Sequence, residues 1–342
     1  MLIQYFYIIP LLIVWGQGVS SLGAPFDSAE AASPEAVIES IIKNARSKSV
    51  PSGPYCANIV CAEQASGKII IFKPSDKNPS FWNNPESVVW EWHPKESPEI
   101  QPSHRSWFNC PDECKPVLGT SHLLLTASGG GVALVRLSDK STRFYAKAGG
   151  NPHSAVLLPD GNIVSISSAG YFLVYDVPEH FSDPEKVKSV RYPSVGGHGL
   201  VWDNQQKTLW VLGYTQLVAY KYNFDKHNPA MTKDFSVSLA GTPASGGHDL
   251  YPVPNQRLLF TTGKAVAVFN LQTRQFTQIS DKGGIKSVSM SPSGEVIVLS
   301  PTKSWWSESV TFLNESFSPI GTRDKAQIYK ARWWIPNTMS DF

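Results

Sequence analysis

A Gly-Gly-His step recurs through the middle of this chain and constrains its fold more than any other feature. It stands at Gly149-Gly150-Asn151-Pro152-His153, returns at Gly196-Gly197-His198 and at Gly246-Gly247-His248, and is varied at Gly283-Gly284-Ile285-Lys286. The basic residues that end these steps are 45, 50 and 38 positions apart. Each step leads into a short apolar strand, a polar turn and a second apolar strand. A period of this length, with several strands per repeat, is that of a propeller with one four-stranded sheet per blade. Equivalent positions of successive blades face the central axis, so His153, His198, His248 and Lys286 are expected to converge there. Glycine ahead of each lets the backbone pass where a side chain would not fit.

Laying out the strands predicts an all-β, six-bladed β-propeller. Residues 58–63, 68–72 and 87–92 form a first blade that lacks an inner strand. Inner strands then open at 115–117, 153–158, 198–202, 248–253 and 286–291, and 327–334 is one more with nothing after it. Pairing 327–334 with the 58–63 blade closes the ring by joining N- and C-terminal strands, which removes the open sheet edges. A seventh blade could only hide in the long segment 73–111.

The ends of the chain read differently. Residues 1–24 carry an apolar run and a small-residue ending, the pattern of a secretory signal peptide although its positive n-region is missing; the run is short for a membrane span. Residues 25–54 hold a short amphipathic helix and a linker. Ser33 is its expected N-cap, Pro34 suits the first turn, and Val37, Ile41 and Ile42 form an apolar stripe. The helix is expected to dock outside the propeller or to be poorly ordered, and the propeller takes residues 55–342. Export would make the four cysteines, Cys56, Cys61, Cys110 and Cys114, a disulfide set with three pairings open. It would also expose the sequon at Asn314 to glycosylation. The formal net charge of +2 points to neither nucleic acid nor an anionic membrane surface. The mature chain is expected to be a secreted monomer.

The chemistry is expected on the axis. Lys115, His153, His198, His248, Lys286, and Lys330 with Arg332 stand at the inner-strand openings. Two uses fit them. Three neutral imidazoles at one point could hold a divalent metal ion. Alternatively one His acts as acid or base while Lys115, Lys286, Lys330 and Arg332 hold a carboxylate. The second use is what β-elimination at a uronic acid requires. Tyr145, Tyr329 and Arg143 lie near these corners in sequence, and His104-Arg105 could overhang the same face. His93, His122, His180 and His227 read as surface or packing residues, and Asp249 with Glu63 as weak candidates for a hydrolytic carboxylate pair. No nucleophile elbow, phosphate loop or dinucleotide fingerprint is present.

Residues 126–134 (TASGGGVAL), 149–162 (GGNPHSAVLLPDGN) and the Gly-Gly-His steps resemble a family of secreted β-propeller proteins of fungi and bacteria without a settled function. The resemblance covers about residues 55–335. More distantly, the architecture resembles propeller polysaccharide lyases that act on uronic-acid glycans, some through a His-bound metal and others through His and Tyr directly. Together these imply an anionic glycan as partner and lyase chemistry on it. The rival expectation is a non-catalytic carbohydrate- or protein-binding propeller, in which Trp107, Trp305 and Trp306 matter more than the histidines.

Overall fold

A computed structural model describes residues 33–46, 58–314 and 316–335. The proposed signal peptide, the linker and Cys56 lie outside these residues. Six four-stranded sheets are arranged as a propeller, and every pairing within them is antiparallel. The inner strands are Ile328–Trp333 in blade 1, Pro111–Val117 in blade 2 and Pro152–Leu157 in blade 3. Gly199–Asp203, Gly247–Val253 and Ser287–Met290 serve blades 4, 5 and 6. The segment that could have hidden a seventh blade instead holds the third strand of blade 1, Val88–Trp92, and a run of short 3-10 turns. All four of those turns start at proline, which fixes φ for a turn and cannot donate to a ladder.

Closure is as expected. Ile328–Trp333 pairs with Ile59–Glu63 in the register Ile59↔Trp333, Val60↔Arg332 and Cys61↔Ala331. Alternation along Ile59–Glu63 then sends side chains to opposite faces of blade 1. Val60 and Ala62 pack toward blade 2 with Cys114, Leu123 and Leu125. Ile59 and Cys61 pack toward blade 6 with Ile297, Leu299 and Val310.

That alternation removes the pairing that would join Cys61 to Cys114. Cys61 and Cys114 are buried free thiols on opposite sides of the blade 1 sheet, and Cys110 is an exposed free thiol. A disulfide needs Cβ atoms about 4 Å apart with converging vectors, and an intervening sheet forbids this for the buried pair. Burial, more than any neighbouring charge, raises the pKa of both buried thiols.

The helix forms over Pro34–Arg46, capped where Ser33 Oγ accepts from the Ala36 amide at 3.2 Å. Val37 and Ile41 bury against Tyr251, Val253 and Leu259, and Arg257 donates to Ser40 Oγ at 3.1 Å. The helix therefore docks on the outside of blade 5. No helix among the described residues is long and apolar enough to cross a membrane.

Candidate functional site

Four of the six inner strands begin with a register break, and the break decides what reaches the axis. Pairing skips from Pro111 to Glu113, from Pro152 to Ser154, from Gly247 to Asp249, and from Ile328 to Lys330. The residues left out are Asp112, His153, His248 and Tyr329. A β-bulge re-aims its extra side chain out of the ladder. His198 and Lys286 stand at the same level in blades 4 and 6, each donating its backbone N–H to the carbonyl of a second-strand leucine. Around the axis the ring reads Tyr329, Asp112, His153, His198, His248 and Lys286.

The local sequence explains the turn into this ring. Gly196 has φ +59°, in the left-handed region, and a Cβ on Gly197 would lie 2.2 Å from Ile166 of blade 3. The backbone thus turns sharply and presses on the neighbouring blade just before His198.

Three predicted histidines do meet. His153 and His198 stack with centroids 4.3 Å apart and planes 10° apart, and His198 meets His248 edge-on at 5.5 Å. Lys286 Nζ donates to His248 Nε2 at 3.2 Å. This leaves the ring proton of His248 on Nδ1, which is buried with no acceptor among the described residues. His198 donates from Nδ1 to Gly196 O at 2.8 Å. His153 Nε2 accepts from the Asn151 amide at 3.1 Å, so its proton sits on Nδ1, 3.3 Å from the Tyr329 hydroxyl and 3.8 Å from Asp112 Oδ2.

Burial sets the charge of the ring. Desolvation, reinforced by Lys286 and Lys330, lowers His248 to about 3 and, despite the Gly196 hydrogen bond, His198 to about 4. It also puts His153 well below the ordinary imidazole range. All three are neutral at pH 7. Burial likewise raises Asp112 to about 8 against its hydrogen bonds from Ser128 and Gln64, and raises Tyr329 well above the usual phenol range. Lys286 is lowered by burial and then by Lys330, and it has no carboxylate partner among the described residues. It is half-buried, as is His248, and these two with exposed Tyr214, which stacks on His198 at 5.0 Å, form the open side of the mouth.

The metal expectation meets this geometry poorly. Imidazole lone pairs lie in the ring plane, so two rings stacked face to face cannot aim them at one point between them. Among the described residues no three His, Cys, Asp or Glu side chains are arranged to hold a metal ion.

Beneath the ring the channel is filled by charge. Arg332 donates to Glu113 from Nε at 2.8 Å and from a terminal nitrogen at 2.9 Å, and to both Asp249 oxygens at 2.9 and 2.7 Å. Lys330 contacts Asp249 at 3.0 Å and Glu113 at 3.6 Å. Lys115 donates to Ser154 Oγ, Ala155 O and Leu200 O at 2.8, 3.1 and 2.8 Å. All five charged side chains are at most 2% exposed. This departs from the expectation that Lys115, Lys330 and Arg332 present themselves to a substrate carboxylate. Lys115 and Arg332 lie three residues beyond the bulge, where the strand has descended below the mouth, and their donors are spent on internal acceptors. Of the four predicted carboxylate-binding cations, Lys286 alone stands in the ring.

Other candidates fall elsewhere. Tyr145 is buried in an outer strand, Arg143 is exposed beside it, and Glu63 caps the turn at Ala65 and Ser66. Trp107 stacks on buried His104 at 3.9 Å, Lys303 covers Trp306, and Trp305 is 53% exposed. Asp112, Asn151 and Tyr214 are the residues that sequence reasoning misses. Aligning blades on the first ladder-paired residue (Glu113, Ser154, Asp249, Lys330) would have found Asp112 and would have set Tyr329 in the ring.

The comparisons leave the chemistry open. A protein of unknown function from Bacteroides caccae is 11% identical over 81% of this chain and 98% of its own, with a TM-score of 0.49. A "putative 6-phosphogluconolactonase" from Bacteroides uniformis is 11% identical over 83% of this chain and 89% of its own, with a TM-score of 0.48. Identity this low carries no activity across, and neither match supports the distant likeness to propeller lyases. No curated protein matches the chain. Residues 38–342 match a family of unknown function, DUF6528, in keeping with the expected membership in a propeller family without a settled role. The chain belongs to that family.

Proposed function

We propose that the axial mouth binds an acidic saccharide, most concretely a uronic-acid glycan, with Lys286 taking the carboxylate. One observation carries this reading. Lys286 is a half-buried cation without a carboxylate partner among the described residues, set against three neutral imidazoles and above a channel where three cations face two carboxylates. Such a site has an uncompensated positive field in a partly desolvated place, where an anion gains most.

The same ring suits β-elimination. Lys286 stabilises the enolate that forms when the proton beside the uronate carboxyl is removed. His198 accepts that proton at Nε2, its Nδ1 being held by Gly196 O. The electron pair becomes the ring double bond, the glycosidic C–O bond breaks, and the leaving oxygen takes a proton from Tyr329. The Tyr329 hydroxyl faces the protonated Nδ1 of His153, so its own proton is free for donation. Export, a monomeric state and glycosylation at Asn314, which is exposed in a turn held by Ser318, belong to this reading.

Titration calorimetry with oligogalacturonate and oligoglucuronate, beside an assay for the unsaturated product, tests it. Lys286→Ala should weaken binding about tenfold or more with an unchanged melting temperature. His198→Ala and Tyr329→Phe should abolish product while retaining binding. Binding without product in the wild type would select the non-catalytic saccharide-binding form, which the exposed Trp305 face favours. Failure of every acidic saccharide to bind would overturn the proposal.

A further inference from the structure

Beside the axial mouth lies a groove of roughly 500 Å³ between blades 1 and 2. Gln64, His93, Lys95, Arg105 and Cys110 are among its lining residues, and no acidic side chain lines it. Glu91, close by in blade 1, is held by Lys68 at 2.7 Å. Arg105 makes no ion pair or hydrogen bond among the described residues, and its Nε is buried without an acceptor. Leaving a guanidinium N–H dry and unpaired is costly unless an acceptor arrives. The loop that carries Arg105 is well anchored, because neighbouring His104 is buried, stacked on Trp107 and 3.3 Å from the Tyr145 hydroxyl. Arg105 is thus held in place without being used.

The groove joins the mouth through one residue. Gln64 donates from Nε2 to Asp112 Oδ1 at 3.2 Å and accepts from Trp305 Nε1 at 3.0 Å. Asp112 belongs to the axial ring, and Trp305 offers an exposed indole that can stack on a sugar face. Gln64 thus links the ring at Asp112 and the exposed indole to the groove that holds the unpaired guanidinium.

We infer that this groove is a second anion-binding subsite, in which Arg105 takes the carboxylate of a further acidic sugar of the chain held at Lys286. The inference rests on the acidic-saccharide reading of the axial mouth. It adds to that reading a recognition of length: a short oligouronate occupies the mouth alone, and a longer one spans both.

Cys110 supplies a local reporter at the groove, since Cys61 and Cys114 are buried. The experiment measures alkylation of Cys110, quantified peptide by peptide, with Kd values for a uronate disaccharide and hexasaccharide. In the wild type the hexasaccharide should slow Cys110 alkylation and the disaccharide should not. Arg105→Ala should weaken hexasaccharide binding by about tenfold or more, leave the disaccharide Kd unchanged, and lose the protection. Arg105→Lys should recover part of it, because charge remains while the planar fork is lost. Unchanged hexasaccharide affinity in Arg105→Ala, with Lys286→Ala still weakened, would overturn the second subsite and leave the axial reading standing. Protection that needs Arg105 and is indifferent to Lys286→Ala would sink the axial reading and keep an anion site in the groove. No binding of either length would overturn both.

Discussion

Arg332 grips Glu113 with two parallel hydrogen bonds, at 2.8 and 2.9 Å, across 219 residues of sequence. The pair fastens the last strand of the propeller to the inner strand of blade 2, and the far edge of the same guanidinium holds Asp249 of blade 5. A planar five-donor fork suits this task, and an ammonium group does not.

Removing the fork leaves two carboxylates in the dry centre with only Lys330 and Lys115 to balance them. Arg332→Ala is expected to cost about 3–5 kcal/mol, and Arg332→Lys to recover only part of it. Urea unfolding with an unchanged m-value is the measurement. A loss below about 1 kcal/mol would mean that water reaches the channel and screens these charges.

The ring histidines tie stability to acid. Their folded pKa values lie below the unfolded 6.5, so the unfolded chain binds protons first as pH falls. Stability should therefore be lost from pH 6.5 downward toward about pH 3, by roughly a few kcal/mol in total. His198→Gln and His248→Gln should flatten this limb relative to the wild type. Denaturant midpoints across the pH series check it, and parallel curves would refute the assigned neutrality.

Asp112 works in the opposite sense. Its folded pKa of about 8 lies above the unfolded 3.8, so its stabilising proton is given up as pH rises through 8. Asp112→Asn should show a stability gain over the wild type that grows between pH 4 and pH 8 and is level above it. A gain that shrinks over that range would contradict the buried, protonated acid.

Gly197 is pressed against Ile166. Gly197→Ala should destabilise by about 1–3 kcal/mol through overpacking between blades 3 and 4. Pairing it with Ile166→Val should recover part of the loss, which thermal melts of the single and double variants would show.

The sequence made the ring of blades readable because the Gly-Gly-His steps recur at blade spacing, and because residues 327–334 looked like an inner strand in want of a sheet. The level of each side chain along the axis was not readable. The apolar pattern opens the blade 2 inner strand at Lys115, yet the strand begins four residues earlier, at Pro111. A bulge breaks the two-residue alternation on which such a reading depends. Asp112 is lost to that break, and Tyr329 is legible only as a neighbour of the corners. The acidic partners of Arg332 were hidden for another reason: Glu113 and Asp249 meet it only once six blades have closed, and no local pattern announces a contact made across an axis.

The closing strand also sets an order of events. During synthesis the first five blades' worth of chain emerges with Glu113 and Asp249 in place while their counter-charges, Lys330 and Arg332, are still unmade. Until that strand arrives, Lys115 is the one cation among the described residues beside Glu113 and Asp249, and Ile59–Glu63 presents an unpaired edge. Arrival of Ile328–Trp333 delivers the missing strand and the neutralising cations together, so closing the ring and balancing its axial charge are one event.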